Sequence, residues 1–311
     1  MTILSRHIAA VLLGAVLLVA CGGGGAAAPT PAPPTATPRP TATSRPTATP
    51  APTATPAPTA TASSSGAADA IRAGLASSGT SDTYRLELSL AVSGSFGEGA
   101  PATPAGEKTT LIGVSGEIDG ENSHTVLKGL LAAFLGVDPE KGAEFISVDG
   151  TTYLRGPVPM LGATDDAWYE LPAGQQSPVT GFSSNQITDS IAAEDVDLSG
   201  FKPAGFEQLD GQRCAVFVGD RETTVSLFQR LGEQGVTSPV PAEEIDQAET
   251  RFYICEDGRL HRLTIDISGT PEGQTEPSAF SLLLRLYDFD GDVTITAPAN
   301  AKPLPQPTST P

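Results

Sequence analysis

Five Asp-Gly pairs, at 119–120, 149–150, 210–211, 257–258 and 290–291, divide most of this chain into short apolar runs. Both residues tolerate positive φ, so the pair suits the tight turns that join antiparallel strands. Between the turns, apolar residues recur at every second position. Leu86, Leu88, Leu90 and Val92 alternate with Glu87, Ser89 and Ala91, and Leu263, Ile265 and Ile267 alternate with Arg262, Thr264 and Asp266. Phe280, Leu282, Leu284 and Leu286 form another row, and Val293, Ile295 and Ala297 one more. Each row describes a strand with one buried face. Parallel strands would need longer crossovers, so the expectation is an antiparallel meander closed by four strands.

Four segments depart from this period. Ala68 to Ser77 spaces Ala68, Ile71 and Leu75 as a helix does, and Asn185 to Ala193 sets Ile187 and Ile191 four apart. Glu222 to Gln234 spaces Val225, Phe228 and Leu231 by three, with Asp220 as N-cap and Gly235 as stop. Thr125 to Gly136 also fits a helix better than a strand, through Leu127, Leu130, Leu131, Phe134 and Leu135. The fold class is therefore α+β, one antiparallel sheet with a few helices.

The first sixty residues cannot join that core. From Pro29 to Thr61 the chain is nearly all Pro, Thr and Ala, with Arg39 and Arg45 as its charges. Such a segment buries too little to offset the entropy of ordering, and its prolines favour extended polyproline II. Before it, Arg6 precedes about a dozen apolar residues, Ile8 to Ala20, too few for the roughly 20 that span a bilayer. The run ends Leu18-Val19-Ala20-Cys21, which resembles the lipobox of bacterial lipoproteins. That resemblance implies cleavage after residue 20 and diacylglyceryl transfer to the Cys21 thiol; an ordinary signal peptide with a chance cysteine is the alternative. The organisation expected is a signal peptide over 1–20, an acylated cysteine and stalk over 21–66, a folded domain over 67–303, and a tail over 304–311. The protein would lie outside the cytoplasm, held to a membrane by its lipid.

Charge narrows the partners. All 36 acidic residues follow the stalk, with 15 of the 18 basic ones, so the folded part carries 15 − 36 = −21. A surface of that sign repels DNA, RNA and anionic bilayers. Solubility explains it, and a cationic envelope protein is the partner it would suit.

Two stretches carry a family resemblance. Phe145-Ile146-Ser147-Val148-Asp149-Gly150-Thr151-Thr152-Tyr153-Leu154-Arg155, followed by Trp168-Tyr169-Glu170-Leu171, is similar to the central hairpin of LppX/LprG-type lipoproteins. Leu286-Tyr287-Asp288-Phe289-Asp290-Gly291-Asp292-Val293-Thr294-Ile295-Thr296-Ala297-Pro298 resembles their last hairpin. The wider group is LolA/LolB-like. This implies a highly curved antiparallel β half-barrel, with helices covering the concave face and an apolar cavity that accepts acyl chains. The insert His124 to Gly142 and the polar loop Gly94 to Glu107 depart from the pattern. Cavity-lining candidates are Leu86, Leu88, Leu90, Val148, Val216, Leu263, Ile265, Leu282 and Leu284, with Ile187, Ile191, Val225 and Phe228 on the helical lid. The same residues would also make a filled core without a ligand.

With Cys21 acylated, Cys214 and Cys255 remain. An even pair in an oxidising compartment reads as a disulfide; two buried thiols are the alternative, and no Cys-x-x-Cys motif suggests redox chemistry. Catalytic patterns are scarce. His124 and His261 are the domain's only histidines, and Gly-x-Ser-x-Gly, His-Glu-x-x-His and phosphate loops do not occur. An exposed role is expected for His261, beside Arg259 and Arg262. Asp288, Asp290 and Asp292 lack the later ligands of an EF-hand and read as a solvated hairpin. Trp168 suits a cavity mouth or the core. No cofactor, metal or enzymatic activity is expected. A carrier of a lipid or other long apolar ligand, and a packed envelope interaction protein, are the two functions left open.

Overall fold

The computed structural model describes residues 64–94, 107–172, 184–193, 196–233 and 240–305. The signal segment, Cys21, nearly all of the stalk, most of the loop after Gly94, Gly235 and most of the tail lie outside these residues. Ala62–Pro311 form one compact unit.

Helix α1 (Ser64–Ser78) leads into strands β1 (Thr83–Ser93), β2 (Thr109–Asp119) and β3 (Asn122–Lys128). A short helix α2 (Leu130–Phe134) follows, then β4 (Ala143–Val148), β5 (Thr151–Arg155), a 3-10 turn at Pro159–Leu161 and β6 (Trp168–Glu170). Helix α3 (Ser184–Ala192) precedes β7 (Lys202–Leu209), β8 (Gln212–Gly219) and α4 (Arg221–Glu233). Strands β9 (Ile245–Cys255), β10 (Leu260–Gly269), β11 (Ser278–Tyr287) and β12 (Lys302–Pro303) complete the sheet.

The twelve strands among the described residues belong to one sheet, in the order β12-β6-β5-β4-β3-β2-β1-β11-β10-β9-β8-β7. Two meanders, β1–β6 and β7–β11, run outward from a central antiparallel seam between β1 and β11. Among the described residues only the two-residue β12 pairs in parallel, with β6. The fold is α+β, one large open sheet of mainly antiparallel strands with few helices.

Four of the five Asp-Gly pairs make the expected turns. Asp149 and Asp210 adopt φ of 49° and 51°, and the glycines after them 76° and 83°, the left-handed pair that a two-residue hairpin requires. The fifth pair does not. After β11, Asp288 and Asp290 are both left-handed (φ 55° and 57°), and the Asp290 amide donates to the Thr83 carbonyl at 2.8 Å. Because β11 already pairs with β1 and β10, the chain leaves the end of β11 instead of doubling back on it. The row Val293, Ile295, Ala297 is consequently no strand, and the four closing strands expected are three long ones and the short β12. Val293 and Ile295 pack instead with Ile146, Val148, Tyr153 and Trp168.

The expected helix over 125–136 is largely replaced by β3. Thr125 and Leu127 pair with Gly116 and Val114, so alternate side chains already find a buried face on the sheet. Gly129 ends the strand at φ 86°, against the Thr110 carbonyl oxygen, where an added Cβ would stand 2.7 Å away. Only Leu130–Phe134 then turn as a helix.

Candidate functional site

The strands place two kinds of surface back to back, because successive side chains point to opposite faces. On the helix-bearing face, register aligns apolar rows across the sheet. One row runs Ala143, Leu127, Val114, Leu88, Leu284, Leu263, Phe252 and Phe217. A neighbouring row runs Ile112, Leu90, Leu282 and Ile265 to Thr250. All the apolar members belong to one core cluster or pack against it.

Helices α1 and α4 close this face over the β7–β10 half. In α1, Ile71 and Leu75 are buried, and the Ser78 hydroxyl donates to the Gly74 carbonyl while accepting from the Leu260 amide at 2.8 Å. That exchange ties the helix end to β10. Helix α4 begins at Asp220, whose carboxylate accepts from the Thr223 amide at 3.2 Å and from its hydroxyl at 2.9 Å. Those bonds hold the Asp220 carboxyl below the usual range, and they satisfy an otherwise orphaned helix-start amide. Further along, Phe228 meets Phe280 edge-on, with ring centroids 4.8 Å apart. Helix α3 contributes the fully buried Ile191 and touches both α1 and α4.

The candidate lining residues divide into three groups. Leu263, Ile265, Leu284 and Ile191 are 0% exposed, so no water-sized space reaches them; Leu86, Leu88, Leu282 and Phe228 retain 3–4%. Leu90, Ile187 and Val225 are half-buried, packed against the same core. The remaining two are misplaced by the sequence reading. Val148 belongs to the cluster with Ile146 and Trp168, and Val216 to one with Cys214, Tyr253 and Cys255. Phe145 and Phe217, one residue off in phase, occupy the helix-bearing face instead. In a fully buried strand both faces carry apolar residues, so hydrophobicity does not reveal which parity points inward.

Sequence inspection also missed Ile112, Val114, Leu127, Phe145 and Leu154, which continue the buried face across β2–β5. Gly113, Ser115 and Gly116 dilute the β2 pattern; pairing β2 antiparallel to β1 about the Asp119-Gly120 turn would have recovered it. Gly116 itself has no room for a side chain, since an added Cβ would collide with the His124 carbonyl oxygen and stand 2.8 Å from Thr125 Cα.

His261 is not exposed: at 2% it is buried, because an irregularity between Leu260 and Arg262 turns both residues 260 and 261 inward. Its ring meets Phe289 edge-on at 5.2 Å, and Nε2 lies 2.9 Å from Asp257. His124 pairs with Glu144 at 2.7 Å, and Glu144 also receives Arg155. Asp165 accepts from Lys302 and Tyr169, which hold its carboxyl below the usual range and fasten β12 to β6. Three charged surface clefts, of about 570, 510 and 560 Å³, contain these or similar ion pairs. Among the described residues no three His, Cys, Asp or Glu side chains gather as a metal site. Nor is any described helix long and apolar enough to cross a membrane.

The fold so defined is a single, mainly antiparallel sheet with its apolar face under short helices. No family model and no curated protein matches the chain. Among solved structures it is similar to the lipoprotein LppX of Mycobacterium tuberculosis, with 15% identity over 74% of this chain and 97% of that one, TM-score 0.39. It is similar to LprF from Mycobacterium bovis, with 12% identity over 75% and 97%, TM-score 0.40. A LolA superfamily protein from Nitrosomonas europaea matches at 12% identity over 73% and 94%, TM-score 0.24.

Proposed function

We propose that this chain is an extracytoplasmic lipoprotein, anchored through Cys21, that binds or carries a lipid or other long apolar molecule beneath its helices. Residues 1–20 serve as signal peptide, 21–66 as acylated cysteine and stalk, 67–303 as the binding domain and 304–311 as a tail. The observation that supports ligand binding is the half-buried pair Leu90 and Ile112, directly opposed across β1 and β2 at the border of an otherwise buried apolar face. Half-buried Ile187 and Val225 give the helical cover apolar surface of the same kind. Apolar groups left short of full burial at the edge of a core lower their free energy by covering one another or an apolar guest, at roughly 25 cal/mol per Å².

A second reading, a packed interaction protein with an acidic surface and no ligand, is favoured by the complete burial of Leu263, Leu284 and Ile191. Native mass spectrometry of the chain purified from its membrane separates the two. A co-purifying lipid mass, or displacement of a fluorescent fatty-acyl probe, supports carriage. Bare protein that binds no acyl probe leaves the interaction reading.

A further inference from the structure

Four large apolar side chains among the described residues stay exposed: Leu130 at 41%, Phe134 at 37%, Met160 at 58% and Phe206 at 50%. Three of them gather at one end of the sheet. Leu130 and Phe134 are four apart on α2 and share a face. Gly136, just past that helix, lies against the Pro159 ring, so the turn that carries Met160 sits beside it; an added Cβ at Gly136 would be 3.4 Å from Pro159 Cδ.

The opposite side of α2 faces inward. Ala132 is 0% and Leu135 7% exposed, while Leu131, Val137 and Leu161 pack half-buried against the main core. Gly129 fixes the helix against the carbonyls of Thr110 and Leu111, next to the Leu90–Ile112 pair. Helix α2 therefore lies beside β2, the strand whose Ile112 stands at the border of the interior. Nearby charges nearly balance: Lys128 and Lys141 are exposed, as are Asp138 and Glu140, and Arg155 pairs with Glu144 and Asp166 beside them.

We propose that Leu130, Phe134 and Met160 dock this end of the domain onto the surface of a zwitterionic lipid bilayer. A bilayer suits the patch better than a second copy of the chain, because two domains of −21 repel each other while the surroundings of the patch are nearly neutral. The two lysines have stems long enough to hold their ammonium groups among headgroups while the apolar side chains enter the interface. The inference rests on the reading of Cys21 as the anchor. Residues 22–63 leave 42 positions between that anchor and α1, about 130 Å if extended, so the tether permits the domain to lie on its own membrane.

The test uses the full chain without its leader and with Cys21→Ser, so that no acyl group contributes, mixed with phosphatidylcholine vesicles and floated on a gradient. The parent floats with the vesicles. A triple variant, Leu130→Ser, Phe134→Ser, Met160→Gln, binds at least tenfold more weakly with an unchanged thermal melt, whereas Phe206→Ser binds as the parent does. Adding phosphatidylglycerol to the vesicles weakens binding. A parent that stays with the soluble fraction, or a triple variant that floats equally well, overturns the proposal. Absence of a co-purifying lipid would count against ligand carriage and leave flotation unaffected, so the two failures are distinguishable.

Discussion

Cys214 and Cys255 stand directly opposite each other on β8 and β9, joined by a disulfide 41 residues apart in sequence. Both sulfurs lie in the small cluster with Val216 and Tyr253, while their chain neighbours Ala215 and Ile254 pack against the main core beneath the helices. The crosslink therefore pins the outer meander without entering the apolar interior.

Closing a loop of that length stabilises the folded chain by about 4 kcal/mol on the chain-entropy model. The double variant Cys214→Ala, Cys255→Ala is expected to melt well below the parent, and reductant should lower the parent's melting point while leaving the variant's unchanged. Acyl-probe affinity, read at a temperature where both remain folded, should not differ. A large loss of affinity would place the ligand on the wrong face of the sheet.

Leu284 and Leu90 are predicted to separate stability from binding. Leu284 is fully buried at the centre of the sheet, and its replacement by Ala should cost about 3 kcal/mol, measured by urea unfolding. Leu90 is half-buried, so Leu90→Ala should cost about 1 kcal/mol while weakening the acyl probe several-fold. Equal effects on the probe from both variants would argue that Leu90 has no special place at the border.

The Asp220 cap gives a pH dependence. Hydrogen bonds from Thr223 depress the folded carboxyl below its unfolded value near ~3.9, so its stabilisation is complete above that value and fades as pH falls through the folded pKa. Asp220→Ala should lower stability by about 1 kcal/mol at neutral pH. Melting curves of parent and variant, taken from pH 7 downward, should converge only below pH ~4. A constant gap through pH 3 would show that the carboxylate is not the source.

Cys21→Ser is expected to release the exported chain from the membrane fraction into the aqueous phase of a detergent partition, with loss of the lipid mass from its N-terminal peptide. An unchanged distribution of the variant would refute the anchor.

Local chemistry was legible where it needed only neighbours in sequence. The turns at Asp149 and Asp210 follow from residues that accept positive φ, and the start of α4 from Asp220 and the Thr223 amide. Alternation in β1, β10 and β11 was readable because polar residues such as Glu87, Asp266 and Arg285 recur on the other face. The 125–136 segment was not, since Leu127 fits either period and its strand state depends on Val114 across the ladder. His261 likewise looked exposed beside two arginines until a strand irregularity turned it inward against Phe289.

The sequence by itself determined an antiparallel sheet and three of its helices, because periodicity, caps and turn residues act over a few positions. Only the tertiary structure decided which face each strand presents. Val148 and Val216 lie opposite the helices, and Val293 and Ile295 cover one flank of the sheet without forming a strand. A one-residue change of phase moves every side chain to the other side, and that choice is made by cross-strand partners far away in the chain.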